Sequence, residues 1–127
     1  MSLLGLLLIA KIAVTFVAVA VPFLVLSRDR IARLSGYEGA PIVLIRLYAV
    51  AVLALLVGYG GGLRDTLAGT MPWAVIVMGI VSNAGAATVL VAYGEGGRRP
   101  LLTAFFSAVA LGLLAAAMMP ERALQPV

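Results

Sequence analysis

The sequence predicts an all-α integral membrane protein, an antiparallel up-down bundle of four transmembrane helices forming one domain over residues 1–127. Three observations carry this prediction. Hydrophobic residues make up 64% of the 127-residue chain and charged residues 11%, with a mean hydropathy of +1.18. A soluble domain of that size could not hide so much apolar surface. The apolar residues gather in four runs, each long enough as a helix to cross ~30 Å of hydrocarbon. Short polar connections join the runs, which makes successive helices run antiparallel.

The first span covers residues 3–27 and is interrupted by a single charge, Lys11. It has no basic leader, is too long for a signal-peptide core and ends in Ser27-Arg28-Asp29-Arg30 without a small-residue cleavage site, so it reads as a retained helix. Pro22 lacks an N–H and is expected to bend it. Residues 28–40, the most charged segment, are expected to form a loop in water or headgroups.

Pro41 opens the second span, residues 41–59, and the run Gly58-Tyr59-Gly60-Gly61-Gly62 is expected to end it. Residues 63–70 form a short outer connection. Thr70 and Pro72 mark the start of the third span, residues 72–93, as an N-cap candidate and an early-turn proline. Trp73 and Tyr93 sit near its two ends and Asn83 at its centre, so it is expected to be the helix the others pack against. Residues 94–99 form a tight basic turn, Pro100 opens the fourth span over residues 100–119, and Pro120 stops it before a loose tail.

Orientation follows from basic residues in short loops. Arg28, Arg30, Arg33, Arg98 and Arg99 lie in the first and third connections, against Arg64 and Arg122 on the other side. Five against two places those connections in the cytoplasm and both termini outside. The +4 net charge thus reports orientation, and a nucleic-acid partner is not expected.

The absences narrow the chemistry. The chain has no histidine and no cysteine, so the commonest metal and haem ligands and the commonest general base are missing. No metal or other cofactor is expected. No Asp or Glu falls within the predicted spans, which argues against proton-coupled transport. The chain resembles the small multidrug-resistance family in length and helix count, but that family's acidic residue in the first helix has no counterpart here. Val57-Gly58-Tyr59-Gly60 spells the core of a potassium-channel filter, yet Leu56 stands where that family has Thr, and a full apolar span precedes it. Glycine capping beside an interfacial tyrosine explains the string better.

The candidate polar residues are Lys11, Thr15, Arg46, Tyr48, Asn83, Thr88 and Ser107. Aligning the helices by their midpoints puts Thr15, Asn83 and Tyr48 near the centre. Arg46, Thr88 and Ser107 fall about one turn, ~6 Å, towards the cytoplasm, and Lys11 a similar distance outside. Arg46 either snorkels to the inner headgroups or turns inward to Ser107 and Thr88, facing an anionic ligand or another helix's carbonyls. Lys11 heads a stripe with Thr15, Ala18 and Pro22 that turns inward or towards an outer cavity, or else snorkels outward. Asn83 shares a small-residue face with Gly79, Ser82 and Ala86, read as a packing hinge or a substrate contact. Ala104, Ala108, Gly112 and Ala115 form a similar stripe suited to helix packing or a subunit contact. No set of these residues forms a catalytic constellation.

In helix count, length and the Arg46-Leu47 pair near the start of the second span, the chain resembles the small bacterial four-helix membrane proteins grouped as DoxX-like. The resemblance implies the overall plan and a place in a bacterial cytoplasmic membrane. It carries no site or activity with it. The expected function is a non-enzymatic membrane protein that binds a lipid, a quinone or a protein partner, as a homodimer or within a larger complex. The alternative is a small homodimeric transporter or channel with a polar path near Arg46 and Lys11. A transporter requires a water-accessible cavity reaching Arg46; a lipid-binding or assembly subunit requires a dry bundle with an apolar side groove.

Overall fold

A computed structural model describes residues 1–36, 38–94 and 99–127. Its described residues form helices and no strand, and four helices are long and apolar enough to cross a membrane. These are α1 (Leu3–Val25), α3 (Ile42–Leu67), α4 (Trp73–Tyr93) and α5 (Arg99–Met118). Two short helices, α2 (Arg28–Ser35) and α6 (Pro120–Leu124), complete the chain.

The first helix begins at Ser2, whose hydroxyl accepts from the Gly5 N–H, as an N-cap does. Pro22 does not end it. A π-helical turn over Phe16–Ala20 precedes the proline, adding one residue to the turn where the ring would meet the carbonyl four residues back. Leu4, Leu8, Lys11 and Thr15 are buried at helical spacing, and Val19 follows them while Ala18 is exposed. The predicted stripe therefore loses Ala18 beyond Thr15.

Residues 28–40 are not simply a loop. Arg28–Ser35 is helical, with Asp29 in its first turn and Arg33 in its last, each matching the helix dipole. It ends at Gly36 in the left-handed conformation, φ 77°, where glycine costs least. Ile31 is buried while Arg28, Arg30 and Arg33 stay exposed, so a helix with one apolar anchor replaces the expected solvated coil.

The glycine run does not stop the second helix either, since α3 continues through it to Leu67. At 26 residues it is about 39 Å long. Helix propensity there is poor, but tertiary contact outweighs it. A Cβ on Gly62 would lie 2.8 Å from a methyl of Val75, so glycine lets α3 and α4 approach closely. The buried positions of α3 are Ala49, Val52, Leu56, Tyr59, Gly62 and Thr66, a single stripe that runs straight through the glycines.

Helix α4 begins at Trp73, with Pro72 rather than Thr70 in the cap position and no capping side chain. It is the least buried of the four long helices at 17%, against 39% for α1, so α1 and not α4 has the more enclosed position. Residues 95–98 of the predicted basic turn lie outside the described residues. Helix α5 buries Phe106, Val109, Leu113 and Ala116, whereas Ala104, Ala108 and Ala115 of the predicted small-residue stripe are exposed.

The tail is ordered against the chain's start. Ala123 of α6 is buried, Ser2 pairs with Pro126 as an antiparallel bridge, and the Val127 N–H donates to the Met1 carbonyl at 3.1 Å. Both termini therefore meet at one end of the molecule.

Candidate functional site

The buried stripes of α1, α3, α4 and α5 converge on Lys11, Tyr59, Asn83 and Phe106. Lys11 is only 5% exposed and Asn83 1%. The Lys11 ammonium donates to Asn83 Oδ1 at 2.7 Å. Because an ammonium has no acceptor, this contact fixes which way round the amide lies. Asn83 Nδ2 then donates to the Tyr59 hydroxyl at 2.8 Å and to the Gly79 carbonyl at 2.7 Å.

Tyr59, having accepted from Asn83, keeps its own O–H for the Ser82 hydroxyl at 3.5 Å, and Ser82 donates to the Gly79 carbonyl at 3.3 Å. Donors thus point in one sense from Lys11 through Asn83 and Tyr59 to Ser82. Aromatic faces enclose the ammonium from other sides. Its nitrogen lies 4.6 Å from the Phe106 ring centroid, 5.1 Å from Phe105 and 5.9 Å from Tyr59. Contacts of this kind stabilise a desolvated cation by ~0.5–2 kcal/mol each.

Beside this network is a cavity of about 50 Å³, whose polar lining comes from Lys11, Thr15, Tyr48, Tyr59, Ser82 and Asn83. Thr15 is 4% exposed, and its buried hydroxyl has no hydrogen-bond partner among the described residues. Tyr48, 47% exposed, stands at the cavity's edge with its ring 6.0 Å from that of Phe23.

Arg46 is elsewhere. Its guanidinium donates to the carbonyls of Phe23 and Leu26, the latter at 2.7 Å, and so closes the end of α1. The last carbonyls of a helix have no internal partner, and an arginine fork with its positive charge suits that end. Of the inward alternative, the contact to another helix's carbonyls forms, and the contacts to Ser107 and Thr88 do not. Thr88 is exposed and its hydroxyl returns to the Ala84 carbonyl of its own helix at 2.8 Å, and Ser107 is half-buried outside the cavity lining. Arg99 repeats the arginine device on α4, donating to the Val91 carbonyl at 2.9 Å.

Of the predicted residues, the structure brings together Lys11, Thr15, Tyr48 and Asn83, and leaves Arg46, Thr88 and Ser107 apart. Sequence reasoning missed Tyr59, Ser82's link to it, and the Phe105–Phe106 pair. Tyr59 reads as an interfacial residue only if the helix ends at the glycines. Its place on the stripe Val52, Leu56, Tyr59, Gly62 and Thr66 was the available signal.

A second concavity, about 330 Å³, lies between the start of α1, the end of α5 and α6. Leu3, Leu7, Gly112, Ala115 and Met119 line it, and Arg122 is the only charged residue among the described residues that do so. Gly112 and Ala115 of the predicted small-residue stripe thus border a groove. Comparison with known protein families, curated proteins and solved structures finds no match to this chain.

Proposed function

We propose that this is a non-enzymatic integral membrane protein that holds the acyl chain of an anionic lipid in the groove between α1, α5 and α6. The observation that carries this reading is the groove itself, lined by leucine, methionine and small apolar residues and bearing one cation among the described residues, Arg122, where a headgroup would sit. Apolar area gives such a site its affinity and the few polar groups set its specificity. A continuous transport path has less support. The 50 Å³ cavity does not include Arg46 among its lining residues, and the guanidinium is committed to Phe23 and Leu26.

The four apolar helices run antiparallel across a bacterial cytoplasmic membrane in this reading, supported by the meeting of Met1 with Val127 at one end. The excess of arginine in the first and third connections puts that end outside. The groove then opens to the outer leaflet. Two arginines, Arg46 after the first connection and Arg99 after the third, cap the ends of α1 and α4 at the cytoplasmic side.

Native mass spectrometry of the full chain from nanodiscs containing equal phosphatidylglycerol and phosphatidylcholine tests the proposal. Selective retention of phosphatidylglycerol is expected, with selectivity reduced in Arg122→Gln and retention lost in Ala115→Trp, whose ring fills the groove. Equal retention of both lipids by the unaltered chain and by Arg122→Gln overturns it.

A further inference from the structure

We infer that the cavity beside Lys11 binds a small monovalent anion of the halide class. The argument starts from charge. Lys11 is 5% exposed, and no carboxylate lines its cavity. An ammonium taken out of water costs several kcal/mol, and lysines buried among apolar helices are normally paired. Here the compensation is one amide oxygen and the faces of Phe105, Phe106 and Tyr59. All of these are neutral, and no carboxylate among the described residues lines the cavity, so a small anion from outside the chain would supply the counter-charge.

Unused hydrogen-bonding capacity points the same way. An ammonium has three donors, and Lys11 spends one on Asn83. Thr15, one turn further along the same buried stripe, is among the residues lining the same cavity, and its buried hydroxyl has no partner among the described residues. A buried hydroxyl without a partner is uncommon, and that of Thr15, unlike that of Thr103, belongs to a residue lining the cavity. Ammonium and hydroxyl belong to residues lining one cavity and both retain a donor, and no acidic side chain among the described residues lines it.

Size selects the class. A water-sized body needs ~10–15 Å³ of such space, so a cavity of about 50 Å³ admits a monatomic anion with a water or two. It excludes gluconate and any phospholipid headgroup. The site is separate from the Arg122 groove, with which it shares no lining residue. It therefore stands or falls independently of the lipid reading.

Chloride-35 NMR of the purified full chain in detergent is the test, with gluconate as the oversized anion. The expected result is a saturable excess linewidth that bromide competes away and that Lys11→Met abolishes. Thr15→Val should weaken the halide about tenfold, the scale of one hydrogen bond to a charged partner. Should Lys11→Met fail to fold, the unaltered chain still decides the matter, because its melting temperature must be higher in chloride than in gluconate at equal ionic strength. Absence of a saturable linewidth, a linewidth that survives Lys11→Met, or equal melting in the two salts overturns the inference. An unchanged affinity in Thr15→Val overturns the stated geometry.

Discussion

The Lys11 ammonium and the Asn83 carboxamide, 72 residues apart in sequence, meet at 2.7 Å and tie α1 to α4. The same amide reaches Tyr59 on α3, so a single residue near the middle of α4 links three long helices. Each partner depends on the others. Without Asn83 the ammonium loses its one hydrogen-bond acceptor among the described residues, and without Lys11 the amide oxygen is left unpaired.

That dependence predicts a non-additive double-mutant cycle. Asn83→Leu is expected to destabilise by about 2–3 kcal/mol, above the usual range for one inter-helix hydrogen bond in lipid because it strands a buried cation. Lys11→Met is expected to cost only ~1 kcal/mol, as it removes the charge and leaves one acceptor unpaired. The double variant should be closer to the unaltered chain than the sum of the two. Unfolding of the purified protein by SDS titration measures all three, and simple additivity would show that the pair does not interact.

Glycine positions on α4 should respond oppositely to alanine. A Cβ on Gly79 would overlap the Leu113 side chain and lie 2.9 Å from the Tyr59 hydroxyl, both fully buried neighbours. Gly79→Ala is expected to destabilise by about 1–3 kcal/mol through overpacking. Gly85, by contrast, faces open space, and Gly85→Ala should be neutral or stabilising by up to ~1 kcal/mol. Melting temperatures of the two variants, compared side by side, check the assignment of the buried face.

Removing the Arg46 fork should loosen the end of α1 locally. Arg46→Met leaves the Phe23 and Leu26 carbonyls without their donor and is expected to cost about 1–3 kcal/mol. Amide hydrogen exchange should quicken over residues 21–27 and remain unchanged around Asn83. Arg46→Lys should recover little, because a single ammonium does not reproduce two parallel N–H donors. Uniform protection across α1 in Arg46→Met would show that the contact does not hold the helix end.

Features that depend on local chemistry are legible in the residues alone. Four apolar runs, with Pro41, Pro72 and Pro100 beside three of the helix starts, locate the long helices, because solvent preference and missing N–H groups act residue by residue. The central stripe Lys11–Thr15 and the Gly79–Asn83 face were also legible, since helical spacing alone places those residues together.

Where local and long-range preferences conflict, packing between helices sets the outcome. Gly60–Gly62 are poor helix formers, but Gly62 permits the approach of Val75, and the helix runs on to Leu67. That extension moves Tyr59 from an expected interface to 1% exposure at the centre of the network. The buried stripe passes from Thr15 to Val19 and not to Ala18, a choice between the i+4 and i+3 positions that helical spacing alone leaves open. Whether Lys11 and Arg46 turn inward or snorkel depends on what acceptor another helix offers. Asn83 provides one to Lys11, and the frayed end of α1 provides two to Arg46.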